Sequence, residues 1–281
     1  MKMRFKIASF FVILLLFLVT FKDKDTGLIE LINQEFKTTP TSSGHAKFDL
    51  LDATQFTDLM YPWLGFPVTV LSEEQLLGGG DHTGIPPDEL KVKNALIQFK
   101  DKKRIILNLP SYQIKSDKKE DVLAALHMKW YLQVIQYVRD VLPDADIGIL
   151  DLPYSPWTAL KSKANISNYQ QVIEYLKPVI DATDTLYPMF KIFNYDENDL
   201  SYLMGVQLYT AKVSGKPVYP VLSHKNIIVQ AGDESKFIPV NLIKQQCKFV
   251  RKNADGMVWW SAKQETWENH WYDAVSTDCF Y

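Results

Sequence analysis

The chain has 281 residues, a formal net charge of −2, and 47% hydrophobic and 13% aromatic residues. That balance offers no basic field for nucleic acid and no Lys/Arg stripe interleaved with aromatics, so a nucleic-acid partner is not expected. The length suits one large domain, since single sandwiches and barrels of roughly 200–250 residues are common.

The N-terminus carries Lys2, Arg4 and Lys6 before the uncharged run Ile7 to Phe21. A basic start ahead of a short apolar core is the layout of a secretory signal. A helix over 7–21 would span about 22 Å, against ~30 Å of hydrocarbon, which thinning and snorkelling of Lys6 and Lys22 can bridge. "KDKDTG" supplies no small-x-small cleavage site. Residues 1–21 therefore read as a signal anchor, or else a cleaved signal peptide. Positive charge on the N-terminal side puts the remainder outside the cytoplasm, membrane-anchored in the periplasm or at the cell surface, or secreted. Residues 22–47, with "TTPTSSGH", form a stalk, and 48–281 a single domain.

Strand and helix patterns then alternate along that domain. "FPVTVLS" (66–72) reads as a strand, and the four-glycine stretch "LLGGGDHTG" (76–84) as a loop or a mobile lid. That stretch lacks the spacing of a nucleotide-binding loop. "PPDELKVKNALIQFKD" (86–101) is a helix, "RIILNLP" (104–110) a strand, and 119–142 a long helix with apolar residues three and four apart. Strands follow at 147–153, 185–193, 216–223 and 256–262, with helices at 168–181, 197–213 and 239–253. One or two more strands would lie between Phe48 and Leu64. Several strands are apolar without alternation, as in a parallel sheet covered on both faces. The expected class is α/β, a (β/α)8-type TIM barrel of regular or irregular form, with an open doubly wound parallel sheet as the alternative. Cys247 and Cys279 are the two cysteines, which an exported domain can join, although spacing leaves the bridge open.

In a barrel, reactive groups occupy the C-terminal strand ends. The carboxylates there are Glu73 and Glu74 after the first strand, Asp151 after "GILDLP", and Glu265 and Glu268 near the last strand. Asp151 is the first choice of catalytic acid, then Glu73 and Glu265. Tyr154 and Trp157 beside Asp151 would line a sugar subsite, because aromatic faces stack on sugars. The histidines at 45, 82, 127, 224 and 270 are scattered, and none lies in H-E-x-x-H. No metal or cofactor is expected. Ser223–His224 lacks the G-x-S-x-G elbow of an esterase.

The order of "RIILNLPSY", "IGILDLPYSPW", "DTLYPMF", "GKPVYPVLS" and "ADGMVWWSA" resembles the barrel of hyaluronidase-type glycoside hydrolases and their uncharacterised bacterial relatives, over about residues 60–265. That resemblance implies a D-x-E pair at the end of an early strand. Its Glu would donate the proton, and the substrate's own N-acetyl group would be the nucleophile, an exception to the two-carboxylate scheme. The matching positions are Asn108, Pro110 and Tyr112, so the acid is missing and Pro110 stands in its place. A substrate-bracing Tyr of the family falls at Lys191, while the final-strand Trp is kept as Trp260. The resemblance thus implies carbohydrate contacts from Asn108, Tyr112, Tyr187, Lys191 and Trp260. Two functions stay open: an exported glycoside-hydrolase-like protein acting on or binding a polysaccharide or glycoconjugate, or a non-catalytic glycan-binding or cell-envelope scaffold with a degenerate barrel.

Overall fold

A computed structural model describes residues 48–53, 66–112, 114, 121–153, 166–190, 204–205, 207–208, 211–224, 237–260 and 279. The chain divides into Met1–Gly44 and His45–Tyr281, and every described residue belongs to the second unit. Its elements, in chain order, are β1 (Asp49–Ala53), β2 (Phe66–Pro67), β3 (Thr69–Ser72), α1 (Glu73–Leu77) and α2 (Glu89–Leu96), the last running into a 3₁₀ turn at Ile97–Phe99. Then come β4 (Arg104–Asn108), α3 (Val122–Val141), β5 (Asp146–Ile149), α4 (Ile166–Ala182), β6 (Val221–Leu222), α5 (Val240–Asn253) and β7 (Gly256–Trp260).

Local chemistry sets the helix starts. Ser72 and Gln75 form a reciprocal capping box on α1, which lets a five-residue helix form where the sequence pattern suggests only a loop. Asp88 caps α2 through the Lys91 amide, and Asp121 caps α3 through the amides of Leu123 and Ala124. The apolar stripe of α3, including Trp130, Val134 and Val138, is buried against the sheet as its spacing dictates.

The strands form mixed α/β architecture with two small parallel sheets, in the orders β2-β1-β7-β6 and β3-β4-β5. A full (β/α)8-type barrel, regular or irregular, is not shown among the described residues. β2 and β3 are parts of one extended run, separated by Val68, whose amide donates to the Asp52 carbonyl at 3.0 Å. The stretches expected as strands at 185–193 and 216–223 are reduced to single bridges (Leu150 with Tyr187, Leu186 with Val218, Met189 with Val221) and the short β6. Pro188, Pro217 and Pro220 lie within them, and each lacks the amide proton a ladder requires. Among the described residues no helix is long and apolar enough to cross a membrane, and the apolar run 7–21 lies outside those residues.

The core groups Leu51, Ala53, Ile106, Tyr187, Met189, Tyr219, Val221, Val258 and Trp260. At its N-terminal end the two sheets meet through charge. Arg104 of β4 donates to the Asp49 carboxylate of β1 at 2.9 Å, and the Tyr219 hydroxyl donates to the same oxygen at 3.1 Å. Arg104 also lies 3.8 Å from Asp146 of β5, which accepts from the Thr185 hydroxyl at 3.0 Å. Burial opposes the Arg104 charge, yet the Asp49, Tyr219 and Tyr187 groups outweigh it and leave the guanidinium above its ordinary value. Burial pushes the Asp146 carboxyl up, against the lowering pull of Thr185 and Arg104. Cys247 of α5 and Cys279 are joined in a disulfide, which staples the tail to this helix.

Gly148 of β5 sits directly beneath the Tyr187 ring. A Cβ there would collide with that ring and lie 2.6 Å from the Thr185 carbonyl oxygen. Gly148→Ala is therefore expected to destabilise the fold by about 3 kcal/mol in urea denaturation, at the upper end of overpacking costs. Gly79→Ala, where a Cβ meets nothing within 4 Å, is expected to stay near wild type.

Candidate functional site

Side chains two apart along a strand share a face. The inward series Val68–Val70 on β2–β3, Ile106 on β4 and Val221 on β6 are core residues. The next inward positions, Ser72, Asn108 and Ser223, therefore sit with Ala53, Met189 and Trp260 at the C-terminal strand ends. Ser72 and Asn108 are register partners on β3 and β4. The Ser72 hydroxyl caps α1, whereas the half-buried Asn108 amide makes no side-chain hydrogen bond among the described residues. Trp260 ends β7 beside Ala53 and keeps 9% of its surface exposed.

Two sequence-selected acids flank this layer. Glu73, buried at the start of α1, accepts the Ser111 amide at 2.8 Å on one oxygen and the Ser111 hydroxyl at 2.6 Å on the other. Asp151 follows β5 with φ 64°, a left-handed backbone that Asp tolerates better than most residues, and its amide donates to the Tyr187 carbonyl at 2.9 Å. A cis peptide bond joins Leu152 to Pro153 just beyond it. Both acids act on one phenol. The Tyr131 hydroxyl accepts from the Leu109 amide at 3.3 Å and donates to the Leu109 carbonyl at 3.2 Å. Burial raises that phenol well above its ordinary value, and the charges of Glu73 and Asp151 raise it further. Glu73, Tyr131 and Asp151 thus surround the turn that follows β4.

Tyr112 lies in the interior. Its ring packs against His127, Trp130 and Tyr131 at centroid distances of 5.8, 5.2 and 6.2 Å. Its hydroxyl donates to the Ile85 carbonyl at 2.9 Å. Tyr187 is also wholly inside, in the core against Gly148. Neither ring faces the layer that holds Asn108 and Trp260. Tyr154, Trp157, Lys191, Glu265 and Glu268 lie outside the described residues, as do His45 and His270.

The glycine-rich stretch, read from the sequence as a surface loop with a lid as the alternative, is fastened at several points. The His82 amide donates to the Ser111 hydroxyl at 3.4 Å, and His127 bonds the Thr83 carbonyl at 2.6 Å. Together with the Tyr112–Ile85 bond, these contacts tie Gly78–Pro87 to the β4 turn and to α3. Glycine content alone concealed them, because the anchoring partners come from residues 111, 112 and 127. Among the described residues no group of three His, Cys, Asp or Glu side chains could hold a metal.

No family model matches the chain, and no curated protein matches it by sequence. Two solved structures share its fold. The monoclinic crystal structure of bee venom hyaluronidase aligns with TM-score 0.60 and 11% identity, covering 77% of this chain and 91% of that one. The same enzyme in complex with a hyaluronic acid tetramer aligns with TM-score 0.59 and 12% identity, covering 76% and 90%. The fold is hyaluronidase-like.

Glu73→Ala is expected to cost about 1–3 kcal/mol in denaturant unfolding, since it leaves two Ser111 donors without their acceptor, and Glu73→Gln to recover roughly half. Burial, with the Glu73 charge behind it, pushes the Tyr112 phenol up from 10.0 to about 12. A raised phenol stabilises the fold below its unfolded value and loses that contribution as pH rises through the folded value. Between pH 10 and about 12, stability of the wild type should fall more steeply than that of Tyr112→Phe, followed as unfolding midpoint against pH.

Proposed function

We propose that this chain is an exported, membrane-anchored glycan-handling protein that binds a polysaccharide or glycoconjugate at the C-terminal strand ends. One observation carries the reading: the hyaluronidase-like fold, whose structural neighbour was solved with a hyaluronic acid tetramer. Asn108 offers a free amide donor and acceptor, and the exposed edge of Trp260 offers an apolar surface to a sugar ring. Tyr154, Trp157 and Lys191 would extend the site from the loops. An irregular barrel belongs to this reading, supported by the run 66–72, which pairs with β1 and β4, and by the isolated bridges of Leu186, Tyr187 and Met189. The buried disulfide supports an oxidising compartment outside the cytoplasm, as the N-terminal anchor does.

Binding is favoured over hydrolysis by family chemistry, because the D-x-E motif is lost. Pro110 stands at the expected donor position, and Glu73 is engaged by Ser111. A second reading, hydrolysis with Asp151 as the relocated acid and Glu265 as its partner, draws on the left-handed backbone that holds Asp151 at the strand end. Full-length protein on a glycan array should retain a defined subset of polysaccharide fragments. Asn108→Ala and Trp260→Ala should each lower that affinity about tenfold or more, with the fold intact by circular dichroism. Product release from a retained glycan, lost in Asp151→Asn, would establish the hydrolase; absence of any retained glycan would remove both readings.

A further inference from the structure

The parallel strands give the domain two unlike ends, and the N-terminal end carries features that sugar binding does not use. Its acids are mostly paired. Asp49 and Asp146 pair with Arg104, Asp184 binds Arg139 at 2.5 Å, and Asp181 binds Lys177 at 2.8 Å. Asp255 accepts the Val218 amide at 2.9 Å. Several lysines of the same end lack such partners. Lys100, Lys102 and Lys103 precede β4, Lys212 precedes the β6 stretch and Lys252 ends α5. All five are exposed, and none has a side-chain partner among the described residues. Asp101 and Asp144, interspersed with them, are exposed acids that likewise have no side-chain partner among the described residues.

Apolar side chains stand among these cations. Val213, next to Lys212, is 62% exposed, and Ile97, at the turn leading to Lys100, is 52% exposed. Unpaired lysines flanking solvent-exposed aliphatic tips is the composition of a surface that rests in the headgroup region of a bilayer. Phe48, the residue before β1, lies under the Arg251 guanidinium at 5.9 Å, beside Lys252 at the end of α5.

We propose that the N-terminal strand face docks on anionic phospholipid. Lys100, Lys102, Lys103, Lys212 and Lys252 contact the headgroups, and Ile97 and Val213 enter the interface. This rests on the anchored reading given above. Docking fixes the orientation: the Asn108–Trp260 layer, at the opposite strand ends, faces away from the bilayer toward extracytoplasmic polysaccharide.

The test uses full-length protein reconstituted in vesicles of phosphatidylcholine alone or with phosphatidylglycerol, probed with a water-soluble amine-reactive reagent and mass spectrometry. Labelling of Lys102, Lys103, Lys212 and Lys252 should slow at least about threefold with phosphatidylglycerol, and the protection should vanish in high salt. Lys129, exposed on α3, should label equally in both. Combined Lys102→Glu and Lys103→Glu should restore labelling of Lys252. Equal labelling in the two lipids, or protection of Lys129 to the same degree, overturns the proposal. So does equal protection of the five lysines by a soluble anionic polysaccharide without lipid, which would make the face a polymer site. Flotation with phosphatidylcholine vesicles separates these outcomes from a failed anchor, because an unanchored chain does not float.

Discussion

The contact between Arg104 and Asp49 is the constraint on which the arrangement of the domain depends. It joins β4 of one sheet to β1 of the other, and Tyr219, Asp146 and Thr185 complete it from three further segments. The ion pair is partly exposed, with side chains 32% and 24% accessible, so its direct Coulombic contribution is modest, on the order of 1 kcal/mol. Its structural effect is larger. Removing one member leaves the others half-buried with unmatched charge, which is the costly way to break such a network. The parallel register then aligns Ser72 with Asn108 at the C-terminal end of one sheet and Ala53 with Trp260 at that of the other.

Much of this was legible in the sequence, for physical reasons that differ by element. The helices α3 and α5 declare themselves through apolar residues three and four apart, and β4 and β7 through unbroken apolar runs bounded by charge or Asp-Gly. β1 was expected only as an unplaced strand between Phe48 and Leu64, because "DLLDA" is short and carries two aspartates, one of which is part of the charge network. α1 was missed because its formation depends on the Ser72–Gln75 capping box more than on any periodic pattern. Prolines 188, 217 and 220 left the strand patterns around them recognisable while removing the amides that would have made them regular.

The candidate site was only partly legible. Period-two reasoning places Asn108 and Trp260 correctly at strand ends, since both lie on well-marked strands. Tyr112 looked equally available, but the turn at Leu109–Ser111 rotates it into the interior, where its hydroxyl holds the glycine-rich loop through Ile85. Glu73 was a candidate catalytic acid, and sequence spacing gives no hint that Ser111 occupies both of its oxygens. Interactions between residues 38 positions apart are invisible to any local pattern. The two strand ends of the domain differ in composition: one gathers polar and aromatic groups around the turn after β4, and the other presents exposed lysines.

The location of the glycan site is tested most directly by nitrogen-labelled NMR of the full-length protein during titration with polysaccharide fragments. The Asn108 side-chain amide and the Trp260 indole should shift together as ligand is added. Trp259, on the other face of the same strand and stacked on His224, should move far less. Shifts confined to the N-terminal strand face, or equal movement of Trp259 and Trp260, would contradict a glycan site at the C-terminal strand ends.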